Sequence, residues 1–507
     1  ATKHLKQLVN LYAVSKGVKG PVETVSLPFE SVAAVIELRL AADRTLSDVR
    51  NITLRSTDGG MLAFETGSLN LRNGAVTPGE QTAAEINYEI EGQATISRTP
   101  TSFFLAVNPV EAGKTLEVLV DYGEKHLSLG SVTVPETGIP AGRLTIFSLG
   151  YEFPQRIAED LSANGTANTY LVTKPGTTYK FRAMVKGNGT PRTYSYSVNG
   201  RPVTKSYSEA DLAIKPAVAK LVWYNSPKTA DGWVRESPVT IESVEYDDWE
   251  GNVYFTTPAE FVPGNALIAA YDAGGEVLWS WNIWAVENYD CDAEARQVGR
   301  YMMMDRNLGA ENLDPGDPAS RGLYYQWGRK DPFPYDLEAF DYGEGFAFGT
   351  YYGEDSSTAT VTWAAAHPAT LLGRAADPSD PAQRLSSWLG QPSPNLWGNA
   401  STGGRPTTAG AKSIYDPCPP GWRVPPPEAW TLEQTTVSST IEGGCYLYTG
   451  SVWPYYPYAG LLHVMPTGKE MYVGVGIRTQ LWTNAPASPA SDPSRVDATT
   501  AVSFGVL

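Results

Sequence analysis

The side chains able to do chemistry are few and scattered in this 507-residue chain. Its four histidines are His4, His126, His367 and His463. None sits in an HExxH pattern, where two imidazoles one helical turn apart hold zinc, and no GxSxG elbow presents a serine nucleophile. They read as structural or surface side chains. The three cysteines, Cys291, Cys418 and Cys445, lack CxxC spacing, so a zinc site is not expected. An odd count leaves either one disulfide and one free thiol, or three buried thiols. Asp305-Arg306 resembles a catalytic acid with its partner, but a guanidinium readily clamps a carboxylate, and a structural ion pair at a strand end is the expectation. Catalytic residues, cofactors and enzymatic activity are not expected.

Binding chemistry has more material. Tyr324, Tyr325, Trp327 and Phe333 could stack against a sugar, yet Gly322, Gly328 and Pro332 bracket them as a turn-bounded unit, which reads as core. Trp422 and Trp430, around Cys418-Pro419-Pro420-Gly421, read the same way. The stretch Trp453-Pro454-Tyr455-Tyr456-Pro457-Tyr458 differs, because its two prolines interrupt any strand ladder. Consecutive aromatics in a loop cannot all enter one core, so ligand contact is expected at Trp453, Tyr455, Tyr456 and Tyr458. Asn395, Trp397 and Asn484 are subsidiary candidates. The acidic loop Asp336–Asp355 and the cluster Asp247-Asp248-Glu250 read as solvated faces, and no metal site is expected.

Charge narrows the partners. A net charge of −16 argues against duplex nucleic acid, whose binding rests on Lys and Arg, and against an anionic membrane face. No apolar run reaches transmembrane length. The remaining partner class is one met by stacking and hydrogen bonds.

The elements that must position these residues are strands. With 48 Gly and 38 Pro, the chain is punctuated too often for helix bundles and too long for one core. Residues 1–147 read as a β-sandwich of short strands: Ser31–Leu40, Ile52–Arg55, Phe103–Val107 and Thr115–Tyr122, the last alternating Leu116, Val118 and Val120. Val134–Gly142 reads as a connector. Residues 148–290 continue the strand pattern as a second sandwich. In Gly274–Glu287, Trp279, Trp281 and Ile283 fall on one face and Ser280, Asn282 and Trp284 on the other, which predicts a half-buried strand. Residues 291–507 lose the regular spacing. Helices are expected only at Thr362–Ala366 and Pro426–Gln434, and a closing strand at Thr500–Leu507 is expected to pair with Gly299–Asp305. All 14 Trp lie at or beyond Trp223, which suggests scaffold in front and recognition behind.

These residues carry a family likeness. DLSANGTANTYLV and KPGTTYKFRAMVKGNG (Asp160–Gly189), with GNALIAAYDAGGEVLWSWNIW (Gly264–Trp284), resemble secreted fimbrillin-like proteins of gut Bacteroidales. YMMMDRNLGA, GLYYQWGRKDPFP and YDPCPPGWRVP resemble the C-terminal module of their tip adhesins, a module similar to the domain repeated in Fibrobacter surface proteins and to C-type-lectin-like folds. The N-terminal part is similar in style to the first fimbrillin domain. The resemblance implies a mainly β chain: two sandwiches, transthyretin-like and Ig-like, at 1–147 and 148–290, then an α+β C-type-lectin-like recognition domain at 291–507. It implies a lipoprotein precursor whose anchor is not in this chain, display at the outer membrane, and assembly with other fimbrial subunits by donor-strand exchange. The expected role is a fimbrial tip adhesin for host or microbial glycan or glycoprotein. The alternative is a surface glycan-binding lipoprotein outside any pilus. Calcium-dependent sugar binding departs from the lectin pattern, since Ser393-Pro394-Asn395 lacks the Glu and Trp482-Thr483-Asn484 is followed by Ala485. Formylglycine-generating enzymes share the distant fold, but such chemistry needs a reactive cysteine pair with thiolate-activating surroundings.

Overall fold

The computed structural model describes residues 11–13, 29–64, 66–70, 72–73, 75–123, 125–198, 201–225, 240–335, 340–341, 350–351, 360–374, 388, 396–398, 412–430, 436–441, 443–448, 454–464, 470–487 and 497–506. The protein is mainly β. Among the described residues, α-helix is confined to Glu209–Leu212 and Val361–Ala366, with 3-10 turns at Pro318–Ser320 and Pro427–Trp430. The chain divides into two compact units, Ala1–Arg156 and Ile157–Leu507.

In the first unit, alternation places the core. Ile36, Leu38 and Leu40 of Ala34–Ala42 are fully buried, as are Leu116, Val118 and Val120 of Thr115–Tyr122. A four-stranded antiparallel sheet runs in the order Lys125–Thr133, Thr115–Tyr122, Leu46–Ser56, Glu85–Ile96. A second sheet sets Ala34–Ala42 between an antiparallel strand, Thr101–Val107, and a parallel one, Leu144–Tyr151. Apolar residues of both sheets form one core, which makes the unit a sandwich. Leu144–Tyr151 is an edge strand: its other side pairs with no strand among the described residues. Phe147 turns inward, while Leu144 and Ile146 are 52% and 47% exposed on the outer face.

The second unit contains a four-stranded sheet, Glu159–Asp160, Thr178–Arg182, Asn252–Thr256 and Glu242–Asp247. Its companion is a five-stranded sheet of Thr169–Val172, Val277–Ala285, Gly264–Tyr271, Val218–Asn225 and Phe340–Asp341. Phe181 of the first sheet stacks on Tyr170 at 4.8 Å and packs against Trp281 of the second at 5.0 Å. The sequence predicts a half-buried strand at Val277–Ala285; the structure buries both faces. Trp279, Trp281 and Ile283 lie in the sandwich core, as expected. The opposite face is covered by segments from beyond residue 300, with the Ser280 hydroxyl donating to Asp331 and the Trp284 indole to the Ala310 carbonyl. One buried cluster therefore joins Tyr170, Phe181 and Trp281 to Trp327, Trp397 and Ile414.

Two local expectations need correction. The closing strand, Asp497–Val506, pairs with Thr479–Ala487 and not with Gly299–Asp305. Pairing with the preceding strand closes a short loop, which costs less chain entropy than a partner some two hundred residues away. Tyr301–Met303 pairs instead with its own neighbour, Arg296–Val298. The expected helix at Pro426–Gln434 is a single 3-10 turn, Pro427–Trp430, within the described residues. The helix at Val361–Ala366 forms as expected, with the Thr360 hydroxyl capping its first turn by accepting from Trp363 N at 3.1 Å.

Candidate functional site

Three segments of the second unit contribute walls to one cavity, and buried hydrogen bonds hold each in place. In Met304–Ala310, Arg306 donates twice to the Asp305 carboxylate, each time at 3.0 Å. The Tyr289 hydroxyl reaches the same carboxylate at 2.8 Å, and the guanidinium lies 3.9 Å from the Tyr289 ring centre. Asp305-Arg306 is thus the structural clamp its residue types imply. Asn265 Nδ2 donates to the Gly309 carbonyl at 2.8 Å, and the Trp284 indole to the Ala310 carbonyl at 3.0 Å.

In Gly322–Pro334 the indole N–H groups act as cross-ties. Trp327 donates to the Thr483 carbonyl at 3.0 Å, Trp388 to the Trp327 carbonyl at 2.8 Å, and Trp397 to the Arg329 carbonyl at 3.2 Å. Arg329 is buried and donates to the carbonyls of Thr370 and His367. Burial pushes its pKa down to about 10. Lys330 and Asp331 form a buried ion pair at 2.5 Å beside Ser280. Gly322 has φ +74°, and a Cβ there would lie 2.8 Å from both Asn307 Cβ and the Leu308 carbonyl, so only glycine fits this turn.

In Ile414–Trp430, Asp416 organises the Pro-Cys-Pro-Pro-Gly loop. It is fully buried and accepts from Cys418 N at 2.9 Å, Val424 N at 3.0 Å and Lys412 Nζ at 2.7 Å. Lys412 also donates to the carbonyls of Cys418 and Trp422.

Between these segments lies a cavity of about 250 Å³. Met302, Met303 and Leu323 give it apolar wall, Tyr324, Trp422 and Trp482 give it aromatic wall, and Arg306, Arg321 and Arg423 are its charged lining residues. Thr479 also lines it, with a buried hydroxyl that has no hydrogen-bond partner among the described residues. A largely apolar concavity with a few polar groups is the usual form of a small-ligand site.

The expected contact residues fall differently. Tyr455, Tyr456 and Tyr458 are buried, the first two in the short strand Tyr455–Pro457, which pairs with Gly444–Tyr448. Tyr456 packs edge-on against Trp430 at 5.6 Å and beside Cys445, so Tyr456 and Tyr458 fill a small core, and none of the three tyrosines forms an exposed loop. Tyr456 and Trp397 still reach the cavity lining from their buried positions. Asn484 is fully buried, its backbone N–H bonded to the Pro425 carbonyl, and is a structural residue. Trp453 and Asn395 lie outside the described residues, as does most of Asp336–Asp355. Tyr324, Tyr325 and the buried Phe333, read as core from their bracketing glycines and proline, line the cavity, whereas Trp327 is buried away from it. Arg321, Arg423, Thr479 and the methionines escaped the sequence reading as site residues. Their one signal is that two of the arginines sit beside the turn glycines, in Arg321-Gly322 and Gly421-Trp422-Arg423.

The other reactive groups are accounted for individually. All three cysteines are free. Burial, and then the charges of Asp292 and Asp290, push the Cys291 thiol up to about 11. Burial also raises Cys418 and Cys445, so these thiols hold their protons near neutral pH. His126 lies 2.6 Å from Asp121, and His367 stacks on Trp363 at 3.7 Å. His4 and the side chain of His463 are outside the described residues. Asp247 is buried and not solvated, because its carboxylate closes a turn by accepting from Trp249 N and Glu250 N. Among the described residues no cluster of His, Cys, Asp or Glu could hold a metal ion, and no helix is long and apolar enough to cross a membrane.

With this geometry in hand, comparison with known proteins adds little. No family model and no curated protein matches the chain. Among solved structures, a Bacteroides ovatus protein of proposed cell-adhesion role is 16% identical over 25% of this chain, with a TM-score of 0.18. The chain spans 42% of that protein's length. SporoSAG from Toxoplasma gondii is 10% identical, over 51% of this chain and 94% of its own, with a TM-score of 0.13. The N-terminal eight Ig domains of Down Syndrome Cell Adhesion Molecule are 9% identical, over 51% and 42%, with a TM-score of 0.08. Likenesses this slight carry no argument about the fold or role of this chain.

Proposed function

We propose that the chain is a cell-surface adhesin whose second unit takes a glycan or glycoprotein in the cavity framed by Tyr324, Trp422 and Trp482. The observation that carries this reading is the cavity itself. Aromatic faces suit the C–H face of a sugar ring, while Thr479, Gln326 and Gln480 stand among the lining residues as hydrogen-bonding groups. The first unit serves assembly: the edge strand Leu144–Tyr151 offers a ladder unpaired among the described residues, with apolar side chains beside it, the form of surface to which another subunit's strand can add. The resemblance of Asp160–Gly189, Gly264–Trp284, Tyr301–Ala310, Gly322–Pro334 and Tyr415–Pro425 to fimbrillin-like proteins supports reading the chain as a fimbrial subunit, displayed at the outer membrane through a precursor lipid anchor.

The test is a glycan array probed with the whole chain, since Trp327 and Ile414 share a core with Phe181 and Trp281. Binding lost in Trp422→Ala, with the melting temperature retained, supports the cavity. An array with no binder, or binding indifferent to Trp422→Ala, removes it. Assembly is read separately by Ile146→Lys, which is expected to abolish strand addition by partner subunits. If wild type and variant behave alike and stay monomeric while glycan binding holds, the chain is a surface glycan-binding protein outside a pilus.

A further inference from the structure

We infer that the cavity selects an acidic saccharide, one carrying a carboxylate or a sulfate, and that Arg321 and Arg423 make the selection. This rests on the reading of the cavity as a glycan site. The chain carries a net charge of −16, yet among the described residues the cavity is lined by three arginines and by no Asp or Glu. Arg306 is committed to Asp305 by two hydrogen bonds and to the face of Tyr289. Arg321 is half-buried and Arg423 exposed, and neither guanidinium has an ion pair or side-chain hydrogen bond among the described residues. Acids outnumber bases in this chain, so two guanidiniums without an ion pair, on a concavity with no acid among its described lining residues, are not what a random surface would supply.

The physical consequence follows from the walls. Met302, Leu323, Trp422 and Trp482 form a low-dielectric lining, which focuses the field of the arginines into the cavity. A guanidinium presents a planar fork that meets the two oxygens of a carboxylate, or two of a sulfate, with parallel hydrogen bonds. The Thr479 hydroxyl, without a partner among the described residues, adds a buried group able to bond a ring hydroxyl. Aromatic wall, anion fork and hydroxyl partner together describe a sugar ring with a negative substituent. A neutral sugar could accept hydrogen bonds from both guanidiniums but would leave them without a counter-charge.

The experiment titrates the whole chain with three matched oligosaccharides, ending in glucose, glucuronic acid or a sulfated glucose. The expected result is binding of an acidic form at least about tenfold tighter than the glucose form, as charge-assisted bonds allow, weakening as salt is raised. Arg321→Gln with Arg423→Gln is expected to bring the ratio of acidic to neutral affinity close to one at an unchanged melting temperature. Arg423→Lys, which keeps the charge but not the fork, is expected to keep part of the ratio. The uronate and sulfate arms show which anion is preferred. Equal affinity for neutral and acidic forms, or a ratio that survives the double variant, overturns the inference and leaves the glycan reading standing. A folded chain that binds no saccharide on the array or in titration overturns both.

Discussion

Asn168 and Asp416, 248 positions apart in the chain, are joined by a 2.8 Å hydrogen bond from the Asn168 amide to the Asp416 carbonyl. The same amide donates to the Ile414 carbonyl at 2.7 Å, and its oxygen accepts from the Trp279 indole at 2.9 Å. One fully buried side chain thus ties the sandwich strands to the loop that forms a wall of the cavity. Replacing Asn168 with Ala strands two carbonyls and an indole N–H without partners. The expected loss is about 3 kcal/mol, since each unmet buried group costs about 1–3 kcal/mol and such costs do not simply add. Urea unfolding followed by tryptophan fluorescence measures it; a midpoint equal to wild type would show that Asn168 does not carry this junction.

The ion pair of Lys330 and Asp331 makes a contrasting case. Both side chains are almost fully buried, and Lys330 also lies 4.5 Å from the Trp279 ring centre. Lys330→Met leaves a buried carboxylate without its counter-charge and is expected to cost about 3–5 kcal/mol. The double change Lys330→Met with Asp331→Leu removes both charges, and is expected to restore most of that loss. Denaturation midpoints of the three proteins decide; a double variant no more stable than the single one refutes the account.

Alkaline pH tests burial at Cys418. Burial holds its thiol well above the ordinary value of 9.0, so in the folded chain it keeps its proton where the unfolded chain releases it. The unfolded state then binds fewer protons, and the contribution is intact below pH 9 and lost as pH rises beyond it. The fall is at most about 1.4 kcal/mol per pH unit. Melting temperatures of wild type and Cys418→Ala from pH 7 to 11 are expected to converge above pH 9; parallel curves would place the thiol in water.

Tyr458 separates core from contact. It is buried in a cluster with Ala429, Trp430, Cys445 and Tyr456. Tyr458→Ala is expected to destabilise by about 3–5 kcal/mol through the cavity it leaves. Any loss of ligand binding should vanish when corrected for the folded fraction, measured by near-UV circular dichroism. Binding lost in a fully folded Tyr458→Ala protein would return this residue to the site.

Much of the fold was legible along the chain. Strand positions and inward faces in the first unit follow from period-2 alternation, because burial there depends on neighbours two residues away, as Leu116, Val118 and Val120 show. The Asp305-Arg306 clamp was legible for a similar reason, since adjacent opposite charges need little beyond their own backbone to meet. The aromatic stretch Tyr455–Tyr458 misled, because exposure is decided by what covers a segment. Trp430 and Cys445, which pack against Tyr456, come from other strands and turns. The outer face of Val277–Ala285 was misjudged in the same way, with its polar residues Ser280 and Asn282 taken for solvent-facing when Asp331 and Asn265 meet them.

The sequence by itself determined the β class, the alternating cores and the turns marked by glycines such as Gly322, because each is a property of local backbone and spacing. Only the tertiary structure decided that Arg321, Arg423, Trp422, Trp482 and Thr479 share one cavity. They come from separate turns and strands, held in place by Asn168, Asp416 and the indole cross-ties. Which side chains face a common space depends on long-range packing, and no periodicity in the chain encodes it.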